Sequence, residues 1–227
     1  MLKDLLLSPW RTRTTSKYRA VLDPYLAAGS PCVLNVGGAS KAISLPGHCA
    51  GWGHVLLDIA PGKDVDLVLD ARGLGQLPAS VFDAVCCSHN LEHYYPHEVP
   101  IILAGFAHVL KGDGFAEIRV PDLDSVLRTM VERGLDVEDT LYQSRSGPIS
   151  VRDVLYGMGS AIASGKVYFA HKTGFTGRSL RKVLDASGFA ELHELAPIAG
   201  YEIRVAAFRY APSLAQRGAL GLDAAAS

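Results

Sequence analysis

The chain has 227 residues, with 22 Lys and Arg against 23 Asp and Glu, for a formal charge of −1. Hydrophobic residues make up 48% and charged ones 20%, which supplies a sizeable core and excludes a disordered or charged-tail protein. Near-neutral charge offers no long-range field for nucleic acid or anionic lipid, so neither is expected as a partner. No apolar stretch approaches the roughly 18 residues of a membrane span. Near the start Lys3 precedes the apolar Leu5–Leu7, but more basic residues follow it, Arg11, Arg13 and Lys17, the reverse of a secretory signal. Cys32, Cys49, Cys86 and Cys87 form no CxxC pair and read as buried free thiols, in keeping with a cytoplasmic protein.

Tyr18, Val21, Leu22, Tyr25 and Leu26 recur with helical spacing and stop at Ala28-Gly29. Short apolar runs bounded by Gly, Pro or Asp then predict strands at Pro31–Val36, His54–Ile59, Val65–Leu69, Phe82–Cys87 and Phe115–Val120. The connection from Gly37 to His54 is long enough for a crossover, though Pro46 and Gly47 make its helix poor. Val99, Ile102, Leu103, Phe106, Val109 and Leu110 mark a helix closed by Lys111-Gly112-Asp113-Gly114. Apolar strands alternating with crossovers mean a parallel sheet with helices on both faces, an α/β fold.

From residue 124 to about 175 the pattern changes to two helices, on Val126–Val131 and Val151–Ile162, joined by a turn-rich loop at Gln143–Pro148. This reads as a helical insertion over the strand ends. Leu180, Val183 and Leu184 give a last helix with Thr176 as N-cap. Tyr201–Tyr210 reads as a long final strand, and residues 213–227 as a flexible tail. Residues 1–212 are thus expected to form a single domain.

Ligands of open parallel sheets bind outside the carboxyl ends of the strands. Those ends carry Gly37-Gly38-Ala39, Asp58-Ile59, Asp70-Ala71 and Ser88-His89. Glycines after the first strand allow close backbone approach. A carboxylate ending the second strand, 21 residues after Gly37, can accept both ribose hydroxyls of a nucleoside. Asp70 can take an adenine amino group, and the following backbone N–H a ring nitrogen. Together these describe an adenosine site without a phosphate cradle.

At these residues the chain resembles the class I S-adenosylmethionine-dependent methyltransferases, in particular their small, type-11-like branch. The resemblance runs through Val33–Ala39, Leu56–Ile59, Leu69–Ala71, Phe82–His93 and Val109–Gly114, in the family order. It implies a Rossmann-like seven-stranded sheet with an antiparallel last strand. It also implies S-adenosylmethionine as cofactor over a core at 30–122, with contacts at Gly37, Asp58, Asp70, Ala71 and Ser88. The insertion at 124–175 would then cover a small-molecule methyl acceptor. One departure is clear: Asn35 stands where the family's first motif usually begins with an acid, and Ala39 and Lys41 replace further glycines.

His89-Asn90-Leu91-Glu92-His93 also matches H-x-x-E-H, a zinc-hydrolase signature when it lies on a helix with a third ligand. Here the string follows a sheet strand, where the family resembled above carries a similar string for structural and cofactor reasons, so no metal is expected. His93 and His171 are the candidate bases for a hydroxyl acceptor, His171 lying in the aromatic stretch Tyr168–Phe175. The leading reading is methyl transfer to an oxygen or nitrogen. The alternatives are a non-catalytic binder of S-adenosylmethionine or S-adenosylhomocysteine on the same fold and, last, a nicotinamide dehydrogenase, which lacks its G-x-G-x-x-G. Nothing in the sequence indicates a homodimer.

Overall fold

A computed structural model describes residues 9–144 and 147–222, with side chains from residue 18 onward. The readings of residues 1–8 and 223–227 lie outside the described residues. The chain opens with helix α1 (Pro9–Ala27) and enters a sheet built from β1 (Cys32–Val36), β2 (Gly53–Asp58), β3 (Leu67–Val68), β4 (Phe82–Ser88), β5 (Leu110–Pro121), β8 (Glu191–Glu194) and β9 (Glu202–Phe208). The strand order is β3-β2-β1-β4-β5-β9-β8. β1 to β5 run parallel, and β9 enters antiparallel between β5 and β8. This is the predicted mostly parallel sheet with its antiparallel final strand.

β1 shows why the apolar runs become central strands: every residue from Cys32 to Val36 is buried, because the strand is covered on both faces. On one face Leu34 and Val36 pack with Leu22 of α1, Phe106 of α2 (Val99–Val109) and Leu184 of α6 (Gly177–Ala186). On the other face Val33, Ala84 and Phe115 meet Leu45, Cys49 and Trp52 from the first crossover, together with Leu220. That crossover forms no α-helix, only a single 3-10 turn at Gly47–Cys49. All four cysteines are buried with free thiols.

Two expectations are corrected. The tail folds as far as α7 (Leu214–Leu220), capped by Ser213 with Gln216 in a reciprocal capping box and ended by Gly221. Its Leu220 helps cover the second sheet face, whose long crossover supplies no helix of its own. The insertion is not purely helical. After α3 (Leu123–Arg133), Gln143 and Ser144 belong to a β-hairpin of β6 (Thr140–Ser144) and β7 (Gly147–Ser150). The second predicted helix is broken at Gly157-Met158 into α4 (Val151–Tyr156) and α5 (Gly159–Ala163). No described helix is long and apolar enough to cross a membrane.

Candidate functional site

The strand ends of β1, β2 and β4 converge on one cleft. It is lined among others by Gly37, Ala39, Asp58, Ile59, Asp70, His89 and His93. Gly38, Ala71 and Ser88, also singled out in the sequence, are not among its lining residues. The backbone turns sharply after β1. Gly37 has φ +72°, and a Cβ there would sit 2.2 Å from the Asn90 side-chain amide. Gly38 is required for a different reason, since a Cβ would meet the Asn35 amide at 2.2 Å. Asn35 in turn donates to His54 Nε2 at 3.2 Å. The residue that replaces the family's acid therefore occupies the space beneath the loop. Ala39 holds φ +57°, a left-handed conformation that costs a residue with a Cβ.

Asp58 faces this turn from β2. Its Oδ2 accepts from the Ala39 amide at 3.2 Å and its Oδ1 from the Ala60 amide at 2.9 Å. Each oxygen keeps a further acceptor position, two in all for a pair of hydroxyls. Asp70 is more occupied. It caps the 3-10 turn Ala71–Gln76 through the Arg72 amide, and the Arg72 guanidinium holds both its oxygens. Burial would raise the Asp70 pKa, but Arg72 pulls it below the usual carboxylate range. Arg72 also pairs with Glu98. Arg72 and Lys172 line the same cleft and were missed by the sequence reading. Only the Asp70–Arg72 spacing, two residues apart, hinted at the first of them.

A second cavity of about 250 Å³ adjoins the cleft, and the two share His89, His93 and Phe169 as walls. Its other lining residues include Glu92, Tyr142, Met158, Tyr201 and His171, so the insertion forms much of its surface. The His93 and His171 rings meet edge to face with centroids 4.9 Å apart. His93 Nδ1 donates to Ala170 O at 3.2 Å and His171 Nδ1 to Val154 O at 2.9 Å. A carbonyl accepts only from a protonated nitrogen, so Nε2 is the lone-pair nitrogen of each neutral ring. Burial lowers the His171 pKa, and His93 beside it lowers it further.

His89 is held at φ +49° between two carboxylates, with Nε2 3.3 Å from Glu202 and Nδ1 3.6 Å from Glu92. Burial disfavours its charge, but Glu202 and Glu92 outweigh that and push its pKa up to about 9. Glu202 also pairs with Arg119 at 2.8 Å and accepts from the Ile198 and Ala199 amides. Burial alone would raise its pKa, yet these partners bring it down to about 2.

No protein-family model matches the sequence, and a search of curated proteins returns no match. Solved structures do match. A SAM (S-adenosylmethionine)-dependent methyltransferase of Archaeoglobus fulgidus aligns over 87% of this chain and 93% of its own, at TM-score 0.50 and 17% identity. The seven-stranded sheet with its antiparallel last strand is the one the family resemblance implies. The fold is that of the class I SAM-dependent methyltransferases. A Thermotoga maritima SAM-dependent methyltransferase aligns over 88% of this chain and 96% of its own, at TM-score 0.50 and 13% identity. A Pyrococcus horikoshii protein aligns over 90% and 93%, at TM-score 0.51 and 15% identity. At such identities the likeness is one of fold. In the methyltransferase fold the cleft described above lies at the carboxyl ends of the parallel strands, where open α/β sheets take their ligands.

Proposed function

We propose that this chain is a SAM-dependent methyltransferase acting on an oxygen or nitrogen of a small-molecule acceptor. One observation carries the reading. A strand-end cleft that presents the Asp58 carboxylate beside a tight Gly37 turn opens past His89, His93 and Phe169 onto a second cavity. Two adjoining compartments suit a donor and an acceptor held for in-line transfer.

Asp58 would take the ribose hydroxyls, and the Ile59 side chain and Asp70 would bound the adenine. The sulfonium makes the methyl group electrophilic on its own, so the protein's task is alignment and exclusion of water. The acceptor would lie in the second cavity, between the hairpin residue Tyr142 and the His93–His171 pair. An acceptor hydroxyl must lose its proton as it attacks, and the two imidazoles are the groups placed to draw it off.

Calorimetric titration with SAM, S-adenosylhomocysteine and NAD tests the reading. We expect one molecule of SAM or S-adenosylhomocysteine per chain and no NAD. Absence of binding by both sulfur nucleosides, or preference for NAD, overturns it.

A further inference from the structure

H-x-x-E-H is set aside in the sequence as a metal signature because the string follows a sheet strand and resembles one the methyltransferase family carries for other reasons. The fold brings a different set together, one that leaves His89 out. Helix α4 and the 3-10 turn at Val167–Phe169 bring His171 against the string, and Glu92, His93 and His171 each offer one ligand atom within 4.8 Å of the others. Glu92 is 1% exposed, yet neither of its carboxylate oxygens accepts a hydrogen bond from any described residue. The closest positive group is His89, 3.6 Å away and shared with Glu202. A carboxylate stripped of water in this way calls for a cation as partner.

The two histidines are prepared in the manner of metal ligands. Each Nδ1–H is fixed on a backbone carbonyl, which sets the tautomer and leaves the Nε2 lone pair as the available donor. Two imidazoles and one carboxylate form the donor set of an open zinc site, with ligand bonds of about 2.0–2.2 Å. Ligands around such an ion lie roughly 3.3 Å apart, so modest side-chain rotations close the set. Imidazole-rich donors favour zinc-class ions over magnesium.

We propose that Glu92, His93 and His171 bind one divalent zinc-class ion whose open coordination position takes the hydroxyl oxygen of the methyl acceptor. The acceptor role rests on the methyltransferase reading above; the ion site stands without it. With the ion bound, His93 and His171 serve as ligands in place of the base role given them above, and the acceptor O–H loses its proton to water, since the ion lowers the pKa of a bound hydroxyl. The resulting oxygen attacks the methyl carbon of SAM. An O–CH3 bond forms, the C–S bond breaks with its electron pair going to sulfur, and neutral S-adenosylhomocysteine leaves. The proposal thus selects hydroxyl over amine acceptors.

The test uses tag-free protein stripped with EDTA and titrated with Zn2+, with Co2+ as a spectroscopic probe, and separately with SAM. We expect one ion per chain, a visible Co2+ band, and a zinc-induced rise in melting temperature. Mg2+ should not displace the ion. His171→Ala and Glu92→Gln should each weaken Zn2+ binding tenfold or more, with circular dichroism reporting that they are folded. Should either variant unfold, His171→Gln and the wild-type thermal shift decide. A wild-type protein that takes up no ion at one per chain, or a folded His171→Ala variant that binds as tightly, overturns the proposal. SAM binding without Zn2+ binding sinks the ion site and leaves the methyltransferase reading intact. Zn2+ binding without SAM binding keeps the site and removes its role in methyl transfer.

Discussion

Glu117 and Glu92 are buried to the same degree, each 1% exposed, and they keep opposite company. Glu117 projects from β5 beneath the first crossover. There Arg204 Nε lies 2.8 Å from one oxygen and His48 Nε2 3.1 Å from the other. Burial would raise its pKa, but these two cations pull it below the usual carboxylate range. Glu202 and Arg119 form a parallel pair on the same two strands, so β5 and β9 carry a short ladder of diagonal ion pairs. Glu92, at the strand ends, accepts no hydrogen bond on either oxygen from the described residues, whereas Glu117 lacks a donor on one oxygen only. A charge that serves the fold is partnered within the fold. Glu92 instead lines a cavity, with His89 at 3.6 Å as its charged neighbour.

The contrast is broken or sharpened first by neutralising each carboxylate. Glu117→Gln strands Arg204 and His48 and should cost about 3–5 kcal/mol, the scale for breaking a buried pair from one side. Glu92→Gln removes a charge that accepts no hydrogen bond from the described residues and shares His89, at 3.6 Å, with Glu202, so metal-free stability should change far less than in Glu117→Gln. Urea unfolding of both variants reads this directly. A similar large loss in the two would erase the distinction.

Glu202 extends the comparison to pH. Its folded pKa of about 2 lies below the ordinary 4.5, so its stabilisation is present above 4.5 and lost as pH falls toward 2. At about 1.4 kcal/mol per pH unit the contribution is on the order of 3 kcal/mol. Wild-type stability should therefore fall more steeply with acid than that of Glu202→Gln. Matching acid profiles would count against the ladder.

The smallest effect lies in the loop over the strand-end cleft. Ala39→Gly relieves a Cβ at φ +57° and should raise stability by about 0.5–1 kcal/mol, readable as a small rise in melting temperature. A fall would mean that the Ala39 methyl packs usefully.

Legibility in the sequence followed the range of the forces. β1, β2 and β4 were readable because burial on both faces makes each a continuous apolar run, as in Cys32–Val36. The place of Asp58 was readable because it ends an apolar run that becomes β2. β8 is an edge strand, Glu-Leu-His-Glu, with no apolar run to mark it. The capping box Ser213–Gln216 announced α7, but small residues without period hid it. The Glu202 network joins residues as far as 113 positions apart, and the Glu92–His93–His171 cluster closes only when the insertion folds back. Such tertiary meetings leave no local signal.

Asp58→Ala puts the methyltransferase reading to its most direct test, with SAM affinity and unfolding free energy measured on the same preparation. The two acceptor positions lost are worth about 1.5–3 kcal/mol per charge-assisted bond. We expect SAM affinity to fall at least roughly tenfold while the unfolding free energy stays within about 1 kcal/mol of wild type. An unchanged dissociation constant in a folded variant would contradict the assignment of this cleft to the donor.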